Sequence, residues 1–146
     1  MIREVKREEI PECVSLIKKA FLTVADEFGF TEENAPRFTA FATNEERLLW
    51  QMDGEHRLMY VYEVAGVLYG YYSLLIQGNK ECELNNLAVL PEYRHKGIGK
   101  QLLFSNNHNT GICNAFNLII SAVLSLSTFI SYNCFKNCFH IGLASI

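Results

Sequence analysis

Three stretches in the middle of the chain are predicted to be β-strands, and the first of them alternates apolar with polar residues and is rich in Tyr and Val. The stretches are residues 57–64, 67–76 and 81–90, and they are separated by the turn sequences Ala65-Gly66 and Gln77-Gly78-Asn79-Lys80. Because connections this short join only neighbouring antiparallel strands, we expect a three-stranded antiparallel meander.

A strand and two helical stretches are predicted before the meander. Residues 2–6 are typical of a short strand, and Glu8, Glu9 and Pro11 indicate a helix start. One apolar face then recurs at helical spacing. Its members are Cys13, Leu16, Ile17, Ala20 and Phe21. A second helix is expected over residues 36–51.

The third strand leads into a basic turn that contains two glycines. Gly97 and Gly99 remove side chains where a ligand must approach the backbone, and Leu102 begins the apolar face of a following helix. A helix start presents unpaired N–H groups and a partial positive charge, and Arg94, Lys96 and Lys100 flank them. The stretch therefore predicts a phosphate site, with a pyrophosphate as the expected ligand.

Two common phosphate motifs are excluded by spacing. The dinucleotide motif Gly-x-Gly-x-x-Gly fails because Leu102 occupies the place of its third glycine. The nucleotide P-loop motif, Gly-x4-Gly-Lys-Ser/Thr, does not occur at this turn.

The pattern Leu-x-Val-x-Pro-x-Tyr-Arg-x-x-Gly-Ile-Gly, at residues 87–99, resembles a known signature. It is similar to the Arg/Gln-x-x-Gly-x-Gly/Ala motif of the GNAT superfamily of acetyl-CoA-dependent N-acetyltransferases. The resemblance extends over about residues 1–103. It implies an α/β (α+β) fold in which helices flank a mixed central sheet.

The resemblance also implies acetyl-CoA as co-substrate, with no metal. In this family the turn amides hold the pyrophosphate, the strand edge pairs with the pantetheine arm, and an N–H near Leu87 donates to the thioester oxygen. The residues expected to hold acetyl-CoA are Leu87, Ala88, Val89, Arg94, His95, Lys96, Gly97, Ile98, Gly99 and Lys100.

Glu83 is the candidate catalytic base. Some histone-acetylating relatives carry a glutamate at the matching place, and strand periodicity predicts that residues 83, 85, 87 and 89 share one face. Partial burial would raise its pKa toward a useful value. The alternative is a solvated or salt-bridged carboxylate. Asn85 and Asn86 are either site-lining groups or strand-edge residues.

Bulk composition narrows the class of protein. The chain has 146 residues, of which 49% are hydrophobic and 20% charged, which predicts a single domain over residues 1–146. A net charge of −3 argues against a nucleic-acid binder. Five cysteines without paired CxxC spacing predict free thiols. The start of the sequence carries no secretory signal, so a cytoplasmic location and no membrane attachment are expected.

Residues 104–146 depart from the family. After Lys100 the only charged residue is Lys136, and Cys134 stands where the family usually carries its general-acid tyrosine. Three interpretations remain open: a diverged completion of the domain, a frameshifted or degenerate sequence, or a membrane segment over residues 118–130.

The sequence thus predicts an N-acetyltransferase whose acceptor is a small-molecule or peptide amine. The alternative is a catalytically impaired acyl-CoA-binding or regulatory module. Pairing into a homodimer is a further expectation, because GNAT proteins often pair.

Overall fold

A computed structural model describes residues 1–76 and 82–102, with the backbone alone at residues 82 and 83. The strands are β1 (Ile2–Glu4), β2 (Leu58–Val64), β3 (Val67–Ile76) and β4 (Cys82–Val89). The helices are α1 (Ile10–Phe28), α2 (Thr39–Ala42), α3 (Glu45–Asp53) and α4, whose described part is residues 98–102. The expectations for residues 104–146 lie outside the described residues.

The described strands form one antiparallel sheet in the order β1-β2-β3-β4. Ala65 and Gly66 connect β2 to β3 with φ values of 51° and 81°. Two positive φ values in a two-residue loop match the twist of the flanking strands, which explains the tight hairpin. The predicted meander is confirmed.

Helix α1 covers one face of the sheet. Pro11 lies in its first turn, and Gly29 ends it at φ 68°, where the Gly29 N–H donates to the Ala25 carbonyl. Its buried side chains include every member of the predicted apolar face. Cys13 is a buried free thiol, as predicted, and burial raises its pKa to about 12.

The predicted second helix over residues 36–51 is wrong as a single element. The structure divides this stretch into α2 and α3, and Asn44 caps α3 by accepting the Arg47 N–H at 2.8 Å. Asn at this position, followed by Glu45 and Glu46, is a recognisable helix start that the apolar spacing concealed.

Helix α4 lies on the other face of the sheet, against β3. A Cβ built on Gly70 would lie 2.8 Å from Leu102 Cδ1, 3.1 Å from Ile98 Cγ2 and 3.4 Å from the Ala88 carbonyl oxygen. Ile98 and Leu102 are buried. The absent side chain at Gly70 therefore sets how closely the start of α4 approaches the sheet.

We predict that Gly70→Ala destabilises the protein. Reduced chain entropy alone would stabilise it by about 0.4–1 kcal/mol, but overpacking costs about 1–3 kcal/mol. Denaturant unfolding should therefore show a net loss. An unchanged or higher free energy of unfolding would mean that α4 shifts away without cost.

Candidate functional site

The site predicted from the sequence is built on β4, the last strand of the described sheet. Tyr71 pairs with Ala88, but Ser73 pairs with Asn85, so β4 carries one residue more than β3 between these pairs. This is a β-bulge, which bends the strand and leaves the extra residue outside the regular pairing.

Asn86 lies at the centre of the bulge in the left-handed region, with φ 51°. Asparagine is one of the few non-glycine residues that adopt this conformation readily. The buried Ser73 hydroxyl donates to the Asn85 carbonyl at 3.2 Å, directly beside the bulge. The bulge is therefore supported from both strands.

The bulge corrects the prediction that residues 83, 85, 87 and 89 share one face. In an antiparallel pair, opposite residues lie on the same face. Positions 83 and 85 pair with Leu75 and Ser73, whereas Val89 pairs with Gly70 on the face of α4. The extra residue moves positions 87 and 89 to the face opposite positions 83 and 85.

Glu83, the candidate base, occupies the register position opposite Leu75. Its side chain lies outside the described part of the structure, so its role stays a prediction.

The predicted phosphate turn follows β4 directly. The Leu90 N–H donates to the Tyr69 carbonyl at 3.0 Å, and Pro91–Tyr93 forms a short 3-10 helix. His95 and Gly97 then adopt positive φ values of 61° and 80°. Among the described residues, no atom lies within 4 Å of a Cβ built on Gly97, so the turn is open on that side.

Helix α4 begins at this turn. The Gln101 N–H donates to the Gly97 carbonyl at 2.9 Å, which is the first helical hydrogen bond. The amides of Ile98 and Gly99 precede Gln101 in the first turn, and they lie at the positive end of the helix dipole. The arrangement can hold an anion at its open side.

The three basic side chains of the turn point to different surroundings. Lys100 is exposed, and the Lys96 ammonium lies 4.7 Å from the centroid of the Tyr93 ring. The Arg94 guanidinium, expected beside the phosphate, instead donates to the Val89 carbonyl and to two groups of α1. Its side chain therefore joins β4 to α1.

Two further contacts surround the turn. The Tyr69 and Tyr93 rings lie 4.1 Å apart between centroids, and hydrogen bonding between them raises the pKa of Tyr69. Lys19 of α1 forms an ion pair with Glu92 at 2.5 Å, and this hydrogen bond lowers the pKa of the Glu92 carboxyl. Neither contact could be predicted from the sequence, because the partners in each are distant in sequence.

Comparison with known proteins identifies the family. Residues 55–126 match the model of the acetyltransferase (GNAT) domain, so the chain carries a GNAT acetyltransferase domain, as its motif predicted. No curated protein matches the chain.

Solved structures confirm the predicted fold class. The PaiA N-acetyltransferase from Thermoplasma acidophilum, in complex with coenzyme A, is 23% identical with a TM-score of 0.64, over 77% of this chain and 74% of that one. A GCN5-related N-acetyltransferase from Rhodopseudomonas palustris is 17% identical with a TM-score of 0.59, over 76% and 65%. The ribosomal-protein-S18-alanine N-acetyltransferase from Escherichia coli is 19% identical with a TM-score of 0.52, over 73% and 56%. This chain thus spans little more than half of the last protein.

Within residues 1–76 and 82–102, no cluster of His, Cys, Asp or Glu side chains is suited to hold a metal ion. No helix in that part of the chain has the length and apolar character needed to cross a membrane.

We predict opposite outcomes for two substitutions at Asn86. Asn86→Gly should keep the bulge, whereas Asn86→Val should destabilise the protein by about 1–3 kcal/mol, because a β-branched residue is strained at positive φ. Denaturant unfolding measures both.

Asn85→Val is the matched control, since Asn85 has no positive φ. An equal loss in Asn85→Val and Asn86→Val would show that the conformation of Asn86 is not the cause.

Proposed function

We propose that this chain binds acetyl-CoA and transfers its acetyl group to a primary amine. The observation that carries the proposal is the continuous unit of bulged strand, open Gly97 turn and helix start, found within a GNAT fold. A strand with interrupted pairing that leads into an open turn and a helix start can accommodate an extended acyl-CoA molecule.

The turn supplies the phosphate contacts. In our proposal, the amides of residues 95–100 donate to the pyrophosphate, because they belong to the turn and first residues at the positive end of α4, and the turn is open at Gly97 among the described residues. Lys96 and Lys100 add positive charge at the turn. The pantetheine arm lies along residues 87–89 and pairs with backbone groups of β4.

The bulge supplies a donor for the reaction. An N–H near Leu87, outside the regular pairing with β3, donates to the thioester oxygen as negative charge develops on it. The amine nitrogen forms a bond to the acetyl carbon, the carbon–sulfur bond breaks, and the thiolate leaves. A fixed donor stabilises the transition state more than the ground state, which is the requirement for catalysis.

Two proton transfers complete the acetyl-transfer reaction. Glu83 accepts the proton that the attacking amine loses, directly or through a water molecule. The departing thiolate takes a proton from water or from a group outside the described residues.

The second candidate function, an acyl-CoA-binding module, differs only in lacking turnover. A single domain over residues 1–146 and the cytoplasmic location stay predictions.

Calorimetry with acetyl-CoA and the full-length chain tests the binding step. The wild-type protein should bind one equivalent. Gly97→Ala should weaken binding at least about tenfold, or about 1.4 kcal/mol, because its methyl group enters the open side of the turn.

Gly66→Ala is the matched control. Gly66 has φ 81° and, like Gly97, no atom within 4 Å of a built Cβ. Each variant should lose about 1 kcal/mol of stability from the positive φ, but only Gly97→Ala should lose affinity. No binding by a folded wild-type protein would contradict the proposal.

Turnover with a panel of amines tests the chemistry. Glu83→Gln should lower kcat about 100-fold or more, the usual contribution of a general base, and change the affinity for acetyl-CoA much less. Loss of the basic group should also remove its inflection from the pH profile of kcat.

Glu81→Gln is the control, because Glu81 precedes Glu83 by two positions in the sequence. An unaltered pH profile in Glu83→Gln would exclude Glu83 as the base. Binding without turnover on any amine would favour the acyl-CoA-binding module.

A further inference from the structure

The Arg94 side chain joins three parts of the chain. Its Nε donates to the Val89 carbonyl at 3.2 Å, at the end of β4. Its Nη1 donates to the Thr23 hydroxyl at 2.9 Å, and its Nη2 donates to the Ala20 carbonyl at 2.7 Å, both on α1. The planar guanidinium suits this task, because its donors diverge in fixed directions.

Thr23 completes the contact on the helix side. Its hydroxyl donates to the Ala20 carbonyl at 2.8 Å while it accepts from Arg94. The hydroxyl is thereby fixed in orientation, and its lone pair faces the guanidinium. Arg94, Thr23 and the Ala20 carbonyl form one connected network, which we name the Arg94 clamp.

Three backbone hydrogen bonds of the turn do not reach α1. The Leu90, Tyr93 and Arg94 N–H groups donate to the carbonyls of Tyr69, Leu90 and Pro91, the last at a long 3.4 Å. The position of the turn relative to α1 therefore depends on side chains: the Arg94 clamp, which is partly buried, and the Lys19–Glu92 pair, which is exposed. An exposed ion pair contributes little, so the clamp is the stronger of the two.

The hydrogen-bond partners of Arg94 do not neutralise its positive charge. Among the described residues, its hydrogen-bond acceptors are two carbonyls and a hydroxyl, all neutral, and no carboxylate lies at salt-bridge distance from it. The guanidinium is therefore held as a fixed positive charge behind the turn, where it favours an anion on the open side.

We propose that Arg94 is a positioning residue for the CoA site, which acts through Thr23 and the Ala20 carbonyl of α1 rather than as a direct phosphate ligand. The inference rests on the proposed function, because it concerns the same turn. It adds that α1, more than seventy positions earlier in the sequence, sets the geometry of that turn.

A double-mutant cycle tests the clamp, with the affinity for CoA measured by calorimetry on the full-length chain. Arg94→Lys keeps the positive charge but loses the diverging N–H donors of the guanidinium. Thr23→Val removes the hydroxyl at nearly constant volume. We expect Arg94→Lys to weaken CoA binding about tenfold and Thr23→Val about threefold, both within the net contribution of a typical hydrogen bond. The double variant should bind about as weakly as Arg94→Lys alone.

Ser15→Ala is the control on the same helix. The Ser15 hydroxyl donates to the Pro11 carbonyl at 3.1 Å within α1, far from the turn, so its loss should leave CoA affinity unchanged. Kinetics provide a second readout: the KM for acetyl-CoA should rise in Thr23→Val more than kcat falls, whereas general destabilisation would lower the folded fraction and hence the apparent kcat.

Three outcomes would overturn the inference. Additive effects in the double variant, or wild-type affinity in Thr23→Val beside a large loss in Arg94→Lys, would show that the guanidinium contacts the ligand directly. Either of these two outcomes is compatible with the proposed function, because the wild-type protein still binds CoA. No CoA binding by the wild-type protein would remove the inference together with the proposed function.

Discussion

The antiparallel pairing of β3 with β4 is the interaction on which the candidate site depends. It places Gly70 opposite Val89, and it sets the bulge at Asn86 by offering one residue fewer on β3. It also continues through the Leu90–Tyr69 hydrogen bond into the turn. A change of register by one residue would move all of these features to other positions or faces.

The turn is held from both faces of the sheet. On the side of α4, the missing side chain of Gly70 lets Ile98 and Leu102 approach closely. On the side of α1, Arg94 donates to Thr23 and the Ala20 carbonyl. Contacts on both sides hold the helix start in place, and an anion site needs donors that are ordered in advance.

Two strained backbone positions lie where the proposed chemistry takes place. Of the described non-glycine residues with positive φ values, Asn86 lies in the bulge and His95 in the turn, whereas His56 and Ala65 lie elsewhere. Conformations of this kind persist only where the surrounding structure enforces them. Beside Asn86, the Ser73 hydroxyl donates to the Asn85 carbonyl from the neighbouring strand.

The sequence by itself determined the meander, the apolar face of α1, the glycine turn and the family, because each follows from the order of neighbouring residues. Tertiary structure decided the rest. Period-two alternation predicts which side chains share a face of the sheet only while the two strands pair residue for residue. The sequence of β4 alone therefore could not predict the bulge at Asn86, which depends on the pairing with β3. The direction of Arg94 was likewise undetermined, because its partners on α1 are 71 and 74 positions away. An arginine beside a glycine turn has two kinds of acceptor, a phosphate or a carbonyl, and only the packing of α1 against β4 selects between them.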